Sequence, residues 1–319
     1  MGYYSRLSKS FEGALRLPLH RNSKYVLISD CHRGVGNSND NFMKNQNLYF
    51  AALQHYYKAG YTYIELGDGD ELWENRSMKQ IIETHSNVFL LLSRFHEQNR
   101  LYMLYGNHDM VKKNSRYTEN VCRRCHCIPE DPIILGKEYS IPKEYSIPKE
   151  YSIPKQSSIL KEFSIPNIPF YPGIILETSF PMDIYLTHGH QTDLFNSTFW
   201  RLSRFLVRYL WKPLEHFGVL DPTSAAKNYT RKHKAEERLH HWAKEEQHIL
   251  ITGHTHRPAL SFEDNLYYNS GSCVHPRCIT CLEIEHNRIC LVKWTLATRN
   301  DMSLYVSREI LAGPIPLNR

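Results

Sequence analysis

No run of about 18 uncharged apolar residues occurs in the 319-residue chain, so no membrane-spanning helix is expected. Nor does the stretch from Met1 to Leu19 contain the apolar core of a signal peptide; it mixes Arg, Lys and Glu among short apolar runs. A cytoplasmic protein is therefore expected. Charge of one sign does not dominate either. Lys and Arg number 39 against 33 Asp and Glu, a net +6 that suits an anionic substrate or surface and proves neither. Hydrophobic residues at 41% and charged residues at 23% are ordinary for a globular chain long enough to bury a sizeable core. The eight cysteines do not make a clear metal cluster. Cys122/Cys125 and Cys278/Cys281 have C-x-x-C spacing that suits zinc, but Cys278 and Cys281 fall on an expected strand without a knuckle glycine. Reduced, partly buried thiols are the expectation there.

What the chain does have is a set of short apolar runs that end in metal-binding residue types. Ile249-Leu250-Ile251-Thr252 leads into Gly253-His254-Thr255-His256-Arg257-Pro258, and extended backbone would present both imidazoles to one side. Tyr25 to Ser29 runs into Asp30-Cys31-His32, and Tyr63 to Leu66 into Gly67-Asp68-Gly69-Asp70-Glu71. Leu101 to Tyr105 runs into Gly106-Asn107-His108-Asp109, and Ile184 to Leu186 into Thr187-His188-Gly189-His190. Ligands gather at the carboxyl ends of strands in open α/β sheets, so these ends can converge on one place. A carboxylate such as that of Asp68 has two oxygens that metals could share. Mixed nitrogen and oxygen donors favour Mn²⁺, Fe or Zn²⁺ over Ca²⁺.

The ordered set D-x-H, G-D-x-x-E, G-N-H-D, H-G-H and G-H-x-H, spanning residues 24 to about 272, resembles the calcineurin-like metallophosphoesterase family. The resemblance implies a two-sheet α/β sandwich and a pair of divalent metal ions, with Mn²⁺ expected first. Asp30, His32 and His256 would complete one site with Asp68, and Asn107, His188 and His254 the other. The reaction implied is hydrolysis of a phosphoester or pyrophosphate bond by a hydroxide bridging the metals. His108 would donate a proton to the leaving oxygen, with Asp109 orienting it. Asn107, Arg33 and Arg257, in or beside the ligand motifs, are the further candidates for phosphate contact.

A single domain over residues 1–319 is expected, carrying two insertions. Lys-Glu-Tyr-Ser-Ile-Pro occurs at 137–142, 143–148 and 149–154, with degenerate copies to 166, and reads as an extended passenger loop. Residues 195–247 read as a helical cap. Phe195, Phe199, Leu202, Leu206, Tyr209 and Leu210 recur at helical spacing beside a basic stripe of Arg201, Arg204, Arg208 and Lys212. Such a helix, placed between two parts of the site, suits a lid, and residues 195–212 also suit peripheral contact at the inner membrane face. Helices are expected over 41–58 and 77–98, and a β meander from Ser261 to about Ile310.

The cap before G-H-T-H-R-P resembles that of UDP-2,3-diacylglucosamine hydrolases, which implies a phosphorylated small-molecule or lipid-linked substrate. The chain departs from that branch at His108, where those enzymes usually have Arg, and at His190, where they usually have Asp. Protein Ser/Thr phosphatase, nucleotide phosphohydrolase and cyclic-nucleotide phosphodiesterase activities remain alternatives, as does a non-catalytic scaffold. The basic residues form no groove pattern, so a nucleic-acid partner is not expected.

Overall fold

The computed structural model describes residues 1–317 apart from 38, 125, 128–162, 165–166, 212–228 and 262–265, and omits the side chains of 122–127 and 163–164. The hexapeptide repeats and the middle of the cap thus lie outside the described residues. The chain opens with helix α1 (Tyr3–Ser8) and strands β1 (Leu15–Leu19) and β2 (Lys24–Ile28). Helix α2 (Gln46–Lys58), β3 (Thr62–Leu66), α3 (Met78–Thr84), α4 (Ser86–Glu97), β4 (Leu101–Leu104) and α5 (Ser115–Arg124) follow. Next come the short β5 (His126–Cys127), β6 (Phe163–Ser164) and β7 (Phe170–Tyr171), then β8 (Gly173–Thr178) and β9 (Ile184–Thr187). The cap contributes α6 (Leu194–Ser197), α7 (Trp200–Leu206) with a π-turn to Trp211, and α8 (Tyr229–Glu246). Five strands close the fold: β10 (Ile249–Thr252), β11 (Tyr267–Asn269), β12 (Cys278–Glu285), β13 (Arg288–Thr298) and β14 (Leu304–Pro316).

Two sheets pack face to face. One has five strands in the order β1-β8-β9-β10-β11, the other seven in the order β14-β13-β12-β2-β3-β4-β7. The two-residue period of strand side chains divides the core. On β2, Tyr25 and Leu27 point into the cluster between the sheets, where they meet Leu176, Leu186 and Ile251. Val26 and Ile28 point the other way, into the cluster with Tyr49, Leu53 and Phe95 of α2 and α4. On the outer face of the smaller sheet, α1 and α8 seal a third cluster through Leu7, Leu239 and Trp242. The result is an α/β sandwich of two sheets between helical layers, as expected.

Local departures have identifiable causes. The helix expected over 77–98 is broken at His85, whose φ of −115° and ψ of 34° end α3 before α4 begins. Its ring is drawn inward to Asp40 Oδ2 (3.3 Å) and Gln46 Oε1 (3.0 Å), partners distant in sequence. The expected meander is interrupted too. Tyr267–Asn269 joins the five-stranded sheet parallel to β10, while β12, β13 and β14 are antiparallel on the other sheet. No helix among the described residues is long and apolar enough to cross a membrane.

Candidate metal centre

The motif residues gather where both sheets end. Asp30, Asp68 and Asn107 follow β2, β3 and β4 of the larger sheet; His188, His254 and His256 follow β9 and β10 of the smaller one. These positions are not extended, contrary to the i, i+2 picture of His254 and His256. Asp30 (φ 52°), His32 (49°), Asp68 (51°), His254 (66°) and His256 (54°) all adopt left-handed backbone. L-residues pay about 1–2 kcal/mol for that conformation, so strain is concentrated in the loops that aim these side chains. It also sends the two histidines to different places: His254 groups with Asp68 and His188, whereas His256 groups with Asp30 and His32. The loops approach so closely that a Cβ on Gly106 would lie 2.1 Å from Asp68 Oδ1, and one on Gly253 2.4 Å from Asp30 Oδ2. Only glycine fits at either point.

Both groups leave donor atoms aimed inward. His256 Nε2 lies 3.0 Å and His32 Nε2 3.8 Å from Asp30 Oδ1. Asp68 Oδ2 lies 3.1 Å from His188 Nε2 and 3.8 Å from His32 Nε2, so a single oxygen faces both groups. The other, Oδ1, is taken by the backbone N–H of His108 at 2.8 Å, which differs from the expectation that both oxygens are free to be shared. Asp30 Oδ1, Asn107 Oδ1, His188 Nε2 and His254 Nε2 are buried and, apart from the ion-pair approaches just given, have no hydrogen-bond partner. An unsatisfied buried polar atom costs about 1–3 kcal/mol, so under-satisfied donor atoms in these loops call for a cation to meet them. Contacts on the far side of the rings turn the other nitrogens toward the centre: His188 Nδ1 donates to Leu66 O at 2.9 Å, and His32 Nδ1 meets Glu71 Oε2 at 2.9 Å. These N and O donors fit divalent metal ions.

The charges in this cluster set one another's ionisation. Burial opposes ionisation of Asp68, yet His188, His108 and His32 around it hold its carboxyl far below the usual range. Burial disfavours the His188 imidazolium, but Asp68 outweighs it and raises the pKa to about 9. Burial and the neighbouring His188 push His254 down to about 3, which keeps it a neutral donor.

His108 is held by groups that sequence reasoning did not assign. Its Nδ1 lies 2.8 Å from Glu71 Oε2, the same carboxylate that holds His32, and its ring stacks on Trp73 at 4.4 Å between centroids. The signal for Glu71 in the sequence is the last position of G-D-x-x-E. Asp109, expected to orient His108, does something else. Its carboxylate accepts from Gly106 N (2.7 Å), Gly69 N (3.2 Å) and Lys112 Nζ (2.9 Å), which pins the turn beneath the site.

Arg33, expected at phosphate, is fully buried. Its guanidinium donates to both oxygens of Glu65 (2.8 and 2.9 Å) and to Asp70 Oδ1 (2.7 Å), so it is held inside the fold and away from substrate. Arg257 does reach the surface, with its guanidinium 3.4 Å from Glu236 on α8. His190 is buried beside His188, 5.5 Å between ring centroids. Asn269 braces the G-H-T-H loop from β11, with its amide donating to Gly253 O (2.7 Å) and Thr255 Oγ1 (3.2 Å). Cys278 and Cys281 both lie in β12, and no metal-capable group among the described residues contains a cysteine.

The cap stands beside this centre with its apolar side uncovered: Phe195, Phe199, Leu202, Phe205 and Tyr209 are each about half exposed, from 47 to 57%. The basic stripe is not uniformly solvated, because Arg208 turns inward. It donates to the carbonyls of Leu72 (2.7 Å), Trp73 (2.8 Å) and Asn75 (3.0 Å), in the loop that follows Glu71.

A family model described as calcineurin-like phosphoesterase matches residues 23–258. Among solved structures, Vps29 of Chaetomium thermophilum aligns with 9% identity and a TM-score of 0.39, over 92% of this chain and 97% of that one. No curated protein matches the chain.

Proposed function

The chain belongs to the calcineurin-like phosphoesterase family, and from that premise we propose that it is a dinuclear metal-dependent hydrolase of phosphoester or pyrophosphate bonds. The observation that carries this reading is the clustering of Asp30, His32 and His256 and of Asp68, His188 and His254, brought from both sheets, with buried donor atoms left under-satisfied. One metal would take Asp30, His32, His256 and Asp68 and the other Asn107, His188, His254 and Asp68, with Mn²⁺ as the pair and Fe or Zn²⁺ next. Such ions supply Lewis acidity toward phosphoryl oxygens and lower the pKa of water, so that a nucleophile forms at neutral pH.

The chain's own residues do the rest. Glu71 occupies His108 Nδ1, which leaves Nε2 as the nitrogen that faces substrate and gives its proton to the leaving oxygen as the P–O bond breaks. Asp68 fixes the backbone of His108 through Oδ1 and keeps Oδ2 for the metals. Arg257, exposed at the mouth of the G-H-T-H-R loop, is the cation available to substrate phosphate once it leaves Glu236. The half-exposed aromatic and aliphatic residues of the cap support an amphiphilic or lipid-linked phosphorylated substrate, met at an anionic membrane surface.

The test is hydrolysis by metal-stripped protein reloaded with Mn²⁺, with bis-p-nitrophenyl phosphate, p-nitrophenyl phosphate and a UDP-sugar compared side by side. Metal-dependent cleavage supports the enzyme, and the preference among diester, monoester and pyrophosphate selects the bond. Two bound metals without turnover of any substrate would favour a binding scaffold.

A further inference from the structure

The cap and the proton donor are joined by a continuous chain of contacts. Arg208, in the π-turn that ends α7, reaches three backbone carbonyls between Leu72 and Asn75. One residue further, Arg76 donates to Tyr209 OH at 2.6 Å and lies 5.5 Å from the centre of its ring. The segment 72–76 is therefore tied to the cap at both ends. The same segment carries Trp73, whose indole stacks on His108 with 24° between ring planes, and it begins directly after Glu71, whose carboxylate holds His108 Nδ1. Glu71 Oε1 also accepts from the backbone N–H of Trp73 (3.2 Å) and Glu74 (3.3 Å), so carboxylate and loop move as a unit.

We infer that Arg208 is a positioning residue for His108: docking of the cap through Arg208 sets the 72–75 loop, and the loop sets the ring that delivers the proton. The inference rests on the phosphoesterase reading for its catalytic consequence, but the anchoring itself is a property of the fold. Three carbonyls gathered on one guanidinium are specific, because only the planar fork of Arg supplies several divergent N–H groups in fixed geometry. Lys at this position could satisfy fewer of them. A cap that swings away, for substrate to enter or product to leave, would pull these bonds apart and leave Trp73 and Glu71 free to shift. Proton delivery would then be assembled only when the cap is closed, a gating role that lids commonly play.

The experiment uses the full chain loaded with Mn²⁺ and the variants Arg208→Ala and Arg208→Lys. Two diesters are compared, bis-p-nitrophenyl phosphate, whose leaving group departs without help, and diphenyl phosphate, whose leaving group needs a proton. Arg208→Ala is expected to lower kcat on diphenyl phosphate by about tenfold or more beyond any loss on the nitrophenyl diester, a small share of what a general acid contributes. Arg208→Lys is expected to recover part of that difference. Hydrogen exchange is the second readout: amides of residues 72–76 should exchange faster in Arg208→Ala, while those of β4 do not change.

A rise in KM with kcat intact on both diesters would make Arg208 a substrate-binding residue and overturn the inference. So would an equal loss on both diesters, or unchanged exchange at 72–76. If the wild-type protein turned over neither diester, nor the monoester or UDP-sugar above, the phosphoesterase reading would fall, and the exchange measurement alone would decide whether Arg208 anchors the loop.

Discussion

Replacing Arg33 by Met removes the cation that holds the floor of the candidate centre together, and its consequence can be worked from the structure. Arg33 and Lys112 face the carboxylates of Glu65, Asp70 and Asp109, all of them buried. Against the penalty of burial, Arg33 and Lys112 keep Asp70 ionised, with its pKa pulled down to about 2. Without Arg33, Glu65 loses both bonds of its bidentate pair and Asp70 keeps only Lys112. Breaking a buried pair by removing one partner costs about 3–5 kcal/mol, because the other charge stays behind uncompensated. At roughly 2.1 cal/mol/K of unfolding entropy per residue, a 319-residue chain should lose about 4–7 °C in Tm for that penalty. Methionine preserves much of the side-chain volume, so the loss would report charge rather than a cavity. Thermal melts by circular dichroism measure it. Adding Glu65→Gln to Arg33→Met should return part of the loss, since the orphaned charge is then removed as well. A melt within about 1 °C of wild type, together with a lower kcat/KM, would refute the reasoning and return Arg33 to the substrate.

Further expectations concern the site and its surroundings. Asp68→Asn or His254→Ala should abolish hydrolysis and lower the bound metal counted by elemental analysis, and normal turnover in either would end the dinuclear assignment. Deleting residues 137–160 should leave turnover of a small substrate nearly intact, and a large loss would show the hexapeptide repeats to be functional. Asp40 accepts from the backbone N–H of Gly36, Phe42 and Met43 and lies 3.3 Å from His85 Nε2. Burial opposes its charge, but His85 and these amides prevail and lower its pKa. A carboxyl depressed in the folded state stabilises above its unfolded pKa, and that contribution is lost as pH falls through the folded value. Stability should therefore fall more steeply in wild type than in Asp40→Asn below about pH 4, the ordinary carboxylate range; parallel acid-side urea curves would contradict this.

Much of the candidate centre is legible in the chain because its pattern is local. An apolar run that ends in Asp, Asn or His, in three cases after a glycine, is a strand followed by a tight loop, and five of these in order name the residues that the fold gathers. Asp30, His32 and His256, and Asp68, His188 and His254, do stand together in the structure. The layered α/β architecture follows from the same signals, since alternating strands and helices must cover both faces of a sheet. The cap's position between His190 and Gly253 is equally a matter of sequence order.

What each charged side chain faces is a different matter, because it is set by groups far away in the chain. Arg33 sits beside a ligand in sequence, yet it turns away from the site because β3 brings Glu65 and the next loop brings Asp70 to its other side. Arg208 reads in sequence as one member of a basic stripe, but three carbonyls of a loop more than a hundred residues earlier draw it inward. Asp109 is adjacent to His108 and serves the backbone instead, while Glu71, which is not adjacent, holds the ring. Sequence alone determined which residues could bind metal and where the strands that carry them end, since both depend on residue type and short-range periodicity. Tertiary structure decided the partners of every buried charge and the left-handed turns that divide His254 from His256. A lone charge is too costly to bury, so its direction is chosen by whichever opposite charge or polar group the whole fold places within reach.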